Sequence, residues 1–363
     1  MKVLLASPYG GVAGGISRWT EHIMSYYKSM QNPGCELTLL PMGRSSFVSV
    51  SSGFLYRIWA ACVDYIPIVS TFKKLIRDNE YDVIHITSSA SLSLLKDLYM
   101  LSIAKRNRIK TVIHFRFGRI PELAIKKNWE WKLLKKVVGL SNIAIVLDKS
   151  SYDTLRSYGF ENVEMLPNPI SQGVNAIVDN HSEVDREPKT ILFTGHVIKT
   201  KGVFELVDAC NRIPGVKLRM VGHVDNDMKQ KLLLSATCDL DIFGEIPYED
   251  VIKEMLKCDV FVLPTYTEGF PNVILESMAA GCAIVATCVG AIPQMLEDEN
   301  GKHYGIVVNP MDVDSLVYGI SQLLMDDELK AECRMNVKAR VNERYSIESV
   351  WNRMSEIWQQ TLN

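Results

Sequence analysis

Residues 265–281 read TYTEGFPNVILESMAAG, and this run with the residues just before it decides how the chain folds. Immediately upstream stands DVFVLP (259–264), an apolar run of strand length that Pro264 closes. After Asn272 the apolar and small residues Val273, Ile274, Met278 and Gly281 fall at helical spacing. The order is strand, short loop, helix, with Glu268 in the loop and Glu276 about one turn inside the helix. Gly269 lets the backbone approach a partner closely, and a helix start offers N–H groups and a positive dipole end. Such an entrance suits a phosphate. A carboxylate so near an anion is costly unless it accepts hydrogen bonds from ligand hydroxyls. Glu276 therefore points to a nucleotide, and Glu268 to a sugar carried by that nucleotide.

Working outward, short apolar runs recur on both sides of this segment. In the first half they are Val3–Ser7, Leu37–Pro41, Val83–Thr87, Thr111–Phe115, Ile143–Leu147 and Val163–Leu166. In the second they are Thr190–Thr194, Val216–Val221, Leu240–Phe243, Val260–Leu263, Ala283–Ala286 and Gly305–Val308. Helical-length segments separate them, which is the pattern of parallel sheets covered by helices. Between the halves, SQGVNAIVDNHSEVDREP (171–188) is polar and lacks periodicity, so it reads as a linker. Two doubly wound sheets facing one another across a cleft are expected. A chain of 363 residues suits two such domains.

Composition excludes several classes. Eight cysteines show no C-x-x-C pair, so neither a zinc site nor a disulfide framework is implied, and buried reduced thiols fit a cytosolic protein. The apolar start MKVLLA is too short for a signal peptide and reads as a core strand. No run of 18 apolar residues could span a bilayer. The net charge of −2 hides an asymmetry: residues 1–172 carry 22 Lys/Arg against 13 Asp/Glu, and 101–140 alone carry 11 against 2. A basic first half suits an anionic partner such as a membrane surface or a lipid phosphate. No nucleic-acid-binding motif accompanies the charge, so nucleic acid is not expected.

Four other stretches carry chemistry. PYGGVAGGIS (8–17) sets four glycines between a strand and a helix, at the sheet edge where α/β proteins bind ligands. The spacing is not G-x-G-x-x-G, and no acidic residue ends the second strand, which argues against a dinucleotide. His114 closes the strand TVIH, and Arg116 and Arg119 follow where they could bind an acceptor phosphate. His85 sits in mid-strand and reads as core. KKNWEWKLLKK (126–136) mixes Lys and Trp on a helix that could lie in a membrane interface, or simply pack its Trp on the domain. Leu55–Phe72 is an apolar, aromatic stretch suited to an acceptor groove or to an ordinary core helix.

Glu-x7-Glu in the setting EGFPNVILESMAAG, with a strand before it, resembles the signature of the family-4 retaining glycosyltransferases of the GT-B fold. The resemblance implies an α/β protein of two Rossmann-like domains. Residues 1–172 would bind the acceptor, 173–188 would link, 189–345 would bind the nucleotide sugar, and 346–363 would form a helix crossing back to the first domain. Gly14, Gly15 and Ile16 would face the donor diphosphate, and His114 would lie beside the transferred sugar. In GHVIKTKG (195–202), Lys201 matches the family's phosphate-binding Lys. His196 replaces the family's Arg and cannot make a bidentate grip. Ile246 would border the nucleobase through its backbone. Gly269, Phe270, Asn272 and Val273 would form the donor loop and helix entrance, with Glu276 on the ribose and Glu268 on the sugar hydroxyls. Gln294 replaces a usual Glu and receives no chemistry.

The implied reaction is retaining transfer from a UDP- or GDP-linked sugar to a hydroxyl of a glycan or polyprenyl-diphosphate-linked acceptor. Cell-surface polysaccharide or lipopolysaccharide assembly is the expected setting, at the cytoplasmic face of the plasma membrane with peripheral contact. Lys201 in the phosphate site makes a metal unnecessary, no Asp-x-Asp triplet is present to hold one, and no cofactor is expected. Competing readings are a GT-B sugar-nucleotide epimerase, a non-catalytic sugar-nucleotide-binding protein and a nicotinamide oxidoreductase. Slow donor hydrolysis would favour the transferase over the binding protein, and absence of NAD binding would remove the last.

Overall fold

The structure, a computed structural model, describes residues 1–10, 15–43, 54–181, 183–297 and 301–362, with side chains left out for 54–62. The chain divides into two compact units, Met1–Asn168 with Ile347–Asn363, and Pro169–Ser346.

Unit 1 runs β1 (Lys2–Ser7), α1 (Gly15–Ser29), β2 (Glu36–Pro41), α2 (Phe54–Asp78), β3 (Val83–Ser88) and α3 (Ser93–Arg106). It continues with β4 (Lys110–Phe115), α4 (Ile120–Lys126), α5 (Trp129–Leu140), β5 (Ile143–Val146), α6 (Lys149–Ser157) and β6 (Val163–Met165). Unit 2 runs α7 (Gln172–Asn180), β7 (Thr190–Thr194), a 3-10 turn (Lys199–Lys201), α8 (Val203–Arg212), β8 (Lys217–Val221), α9 (Asn226–Ser235) and β9 (Asp239–Gly244). It continues with α10 (Tyr248–Lys257), β10 (Val260–Leu263), α11 (Asn272–Ala279), β11 (Ala283–Thr287) and α12 (Ile292–Leu296). β12 (Ile306–Val308), α13 (Val313–Met325) and α14 (Asp327–Arg344) complete it, and α15 (Ile347–Leu362) belongs to unit 1.

All twelve expected strands form. Each unit holds one parallel six-stranded sheet, ordered β2-β1-β3-β4-β5-β6 and β12-β11-β10-β7-β8-β9. The chain leaves β1 toward β2 on one side and resumes at β3 on the other, and β7 and β10 repeat the arrangement. Open α/β sheets bind ligands at such reversals, outside the carboxyl ends of the strands. Central strands are buried on both faces, which is why they read as unbroken apolar runs.

In unit 1 the helix α15 completes the core. Trp351, Met354, Ile357 and Trp358 recur on one face and bury against Val3, Leu5, Val112 and Ile145. Each large apolar side chain so buried contributes roughly 1.5–3 kcal/mol.

The first part of the stretch expected as a linker, 173–188, is helical: α7 covers it as far as Asn180, and 183–188 hold no helix or strand. Ser171 caps α7 by accepting from Gly173 N, and Val174 and Val178, one turn apart, are both buried. The apolar residues of this nine-residue helix, Val174, Ile177 and Val178, span too short a stretch to show a period. Arg186 then donates to the carbonyls of Cys258 at 2.8 Å, Ala280 at 2.8 Å and Gly281 at 2.7 Å, fixing this segment to unit 2.

Candidate functional site

The carboxyl ends of β7 and β10 meet at the chain reversal of unit 2. The turn after β7 carries Lys201, and the loop after β10 carries Glu268. Their side chains form an ion pair, largely sheltered from solvent. Gly202 makes this approach possible. Its φ is +70°, and a Cβ there would lie 2.0 Å from the Pro264 carbonyl oxygen. The backbone of the Lys201 turn thus rests directly on the end of β10. Tyr266 N donates to Thr200 O at 3.0 Å and ties the two loops again.

The Glu268 loop is braced from its other side. Gly290 (φ +56°) packs so closely that a Cβ would lie 2.5 Å from the Glu268 carbonyl oxygen, and Ala291 N donates to Gly269 O at 2.9 Å. Gly290 and Ala291, a few residues before Gln294, therefore shape the loop. No side chain caps the start of α11, where Ile274 N donates to Pro271 O at 3.1 Å. Phe270 is buried and its ring meets Tyr345 edge-on at 5.8 Å.

Glu276 lies on the second turn of α11. Tyr248, at the start of α10, donates its hydroxyl to Glu276 Oε1 at 2.8 Å. This tyrosine directly follows the Ile246–Pro247 turn. Tyr266 donates to Glu205 Oε1 at 2.6 Å, and burial followed by the Glu205 carboxylate pushes its pKa up to about 12. Glu205 Oε2 is buried without a partner. Tyr248, Tyr266, Glu205 and Gly290 received no role of their own from sequence, because each acts through a contact between distant segments. His196 is exposed, with its ring 5.9 Å from that of His223.

In unit 1, Gly15 and Ile16 open α1, and Gly14 lies outside the described residues. Thr20 donates to Ile16 O at 2.9 Å, and Ser7 Oγ sits 2.6 Å from Thr20 Oγ1 and 2.9 Å from Thr87 Oγ1, holding α1 to β1 and β3. His114 does end β4, but its side chain is wholly buried, with Nδ1 3.2 Å from His85 Nε2 and Nε2 3.2 Å from Arg116 Nη1. Burial, with Arg116 and His85 adding, holds it well below its ordinary pKa of 6.5. His85 is also interior and is pushed down to about 3 by burial, with Arg116 adding. Arg116 is not a solvated loop residue: it lies over the Trp19 ring at 4.5 Å and donates to Asn168 Oδ1 at 2.6 Å. Arg119 pairs with Glu130 at 3.1 Å.

The Lys/Trp helix divides its aromatics. Trp131 is buried in the core with Lys135 over its ring at 5.8 Å, whereas Trp129 is 52% exposed, and Ile125 on α4 is 81% exposed. Lys126, Lys127, Lys132 and Lys136 are also exposed. In α2, Ile68 and Phe72 are core residues, and the side chains of 55–62 lie outside the described residues. Among the described residues no helix is long and apolar enough to cross a membrane.

Two units, each a parallel six-stranded sheet flanked by helices, define the GT-B fold class. Two family models account for most of the chain: Glycosyltransferase Family 4 matches residues 20–172, and Glycosyl transferases group 1 matches residues 176–340. The chain belongs to this glycosyltransferase family. It is 29% identical over 268 residues to the phosphatidyl-myo-inositol mannosyltransferase of Mycobacterium tuberculosis, covering 71% of this chain and 68% of that one. The capsular polysaccharide biosynthesis glycosyltransferase CapM of Staphylococcus aureus is 23% identical over 245 residues, 65% of this chain and 60% of CapM. HepE of Anabaena, solved in complex with UDP, superposes with a TM-score of 0.72 at 17% identity, covering 99% of this chain and 100% of HepE.

Proposed function

We propose that this glycosyltransferase moves a sugar from a UDP- or GDP-linked donor to a hydroxyl of a lipid-linked glycan, with retention and without a metal. The observation that carries the reading is the Lys201–Glu268 pair at the β7/β10 reversal, set beside the α11 entrance. Lys201 and the α11 N–H groups would balance charge gathering on the departing diphosphate, which is electrostatic stabilisation in a held geometry. Glu268 would exchange its contact with Lys201 for sugar hydroxyls when the phosphate claims the lysine. Glu276 would hold the ribose, with Tyr248 fixing its carboxylate. The Ile246 backbone would border the base, and His196 would stand near the phosphates. Gly14, Gly15 and Ile16 would give backbone access to the diphosphate, and His114 would act through its Nε2 edge. With Glu276 occupied by ribose no nucleophile is evident, which favours attack assisted by the leaving phosphate on the same face.

The names of the mannosyltransferase and CapM support a lipid or polysaccharide acceptor, and the UDP in HepE supports a nucleotide-linked donor. The basic, partly apolar surface of Ile125, Trp129 and the α4–α5 lysines favours peripheral attachment to the anionic cytoplasmic face of the membrane. The test is donor turnover by Lys201→Ala and Glu268→Ala. Losing one such electrostatic contact costs on the order of 10²–10³ in kcat. Near-normal turnover in both variants would sink the assignment.

A further inference from the structure

A row of nitrogen atoms runs through the interior of unit 1. Trp358 on α15 donates its indole N–H to His85 Nδ1 at 3.0 Å. His85 Nε2 lies 3.2 Å from His114 Nδ1, and His114 Nε2 lies 3.2 Å from Nη1 of Arg116. An indole only donates, so His85 Nδ1 is the bare nitrogen. Both imidazoles are wholly buried, and each is held neutral. A neutral imidazole carries one proton, so His85 donates from Nε2 and His114 accepts at Nδ1. His114 therefore keeps its own proton on Nε2. That N–H faces a guanidinium, which has no acceptor atom. Two donors meet with nothing between them to accept.

Arg116 itself shows the same surplus. Nη2 reaches Asn168, the guanidinium lies over Trp19, and Nε is buried with no partner. Among the described residues no carboxylate pairs with it. Burial alone draws its pKa down to about 9, with no opposing charge to raise it. Glu130 is committed instead to Arg119 and to Ser91 N, at 3.1 and 2.8 Å. A buried guanidinium is ordinarily matched by a carboxylate or phosphate.

We propose that His114 Nε2–H and the Arg116 guanidinium form a receptor for one oxygen of a phosphate or diphosphate, at the carboxyl end of β4. An anionic oxygen there would accept from both groups, end the clash of donors and supply the missing counter-charge. A sugar hydroxyl would supply no counter-charge. Trp358 and His85 act as positioning residues, because their hydrogen bonds fix which nitrogen of His114 is protonated. The phosphate could belong to the donor or to the acceptor. The inference stands on unit 1 alone and would survive failure of the Lys201–Glu268 reading.

The test is a histidine-ring ¹H–¹⁵N NMR titration of the full chain with inorganic phosphate and pyrophosphate at fixed ionic strength. His114, assigned from the signal lost in His114→Gln, should show the Nε2–H tautomer and shift saturably. Arg116→Gln should weaken that titration by at least about tenfold, and Lys105→Gln, which removes an exposed charge of unit 1, should leave it unchanged. If Arg116→Gln does not fold, Arg116→Lys replaces it and should weaken binding, since an ammonium lacks the planar fork. A His114 signal that neither anion moves, or an Nδ1–H tautomer, overturns the proposal. So does a titration unaltered in the folded Arg116 variant. With the site supported, a shift produced by UDP or GDP assigns the phosphate to the donor, and one produced by glycerol 3-phosphate assigns it to the acceptor.

Discussion

Gly202→Ala isolates the packing that holds Lys201 beside Glu268, and Gly244→Ala is its control. The two glycines share nearly the same φ, +70° and +73°. A Cβ at Gly244 meets nothing within 4 Å, whereas at Gly202 it falls 2.0 Å from the Pro264 carbonyl oxygen and 2.8 Å from its carbon. Placing an L side chain in the left-handed region costs roughly 1–2 kcal/mol, and both variants bear that. Only Gly202→Ala adds a clash with strand backbone, where overpacking costs about 1–3 kcal/mol more. The expectation is a loss of about 1–2 kcal/mol for Gly244→Ala and about 2–5 kcal/mol for Gly202→Ala. Urea titration followed by the transition of unit 2 measures both. Because Pro264 closes β10, the clash is relieved by moving the turn, so Gly202→Ala should also lower donor turnover under conditions where it stays folded. Equal destabilisation by the two substitutions, or normal turnover in a folded Gly202→Ala protein, would refute the claim that this contact sets the site.

Further predictions concern ribose, pH and membrane. Tyr248→Phe removes a hydrogen bond to a carboxylate at an accessible site, so donor KM should rise about fivefold with kcat little changed. Discrimination against 2′-deoxyribonucleotides should fall with it, and an unchanged KM would remove Tyr248 from ribose binding. His85 and His114 have folded pKa values depressed by burial, so protons bind preferentially to the unfolded chain once pH drops below about 6.5. Unit 1 should therefore be unaffected by these two groups above that pH. It should weaken between pH 6.5 and 5, by about 2 kcal/mol from His85 alone. Urea midpoints flat across that window would contradict their neutral burial. Serine at Lys126, Lys127, Lys132, Lys135 and Lys136 should release the protein from anionic vesicles, and undiminished co-sedimentation would exclude this face as the contact.

Much of the design was legible because parallel strands buried on both faces must be continuously apolar, and the helices between them must not be. That contrast placed all twelve strands and both sheets from residue type alone. The strand, loop and helix around Glu268 and Glu276 were equally local, since Pro264, Gly269 and the period after Asn272 act over a few residues. Tertiary structure decided what local pattern does not encode. Whether Trp129 or Trp131 faces outward depends on what α5 packs against, and Arg186 is held by carbonyls roughly 70–95 positions away. The pairing of Lys201 with Glu268, the brace at Gly290 and the hydroxyl of Tyr248 on Glu276 all join segments that meet only when strands line up. His114 carries the same lesson. Its place at a strand end follows from sequence, but its proton is assigned by Trp358, 244 residues downstream, because hydrogen-bond direction is settled by three-dimensional neighbours.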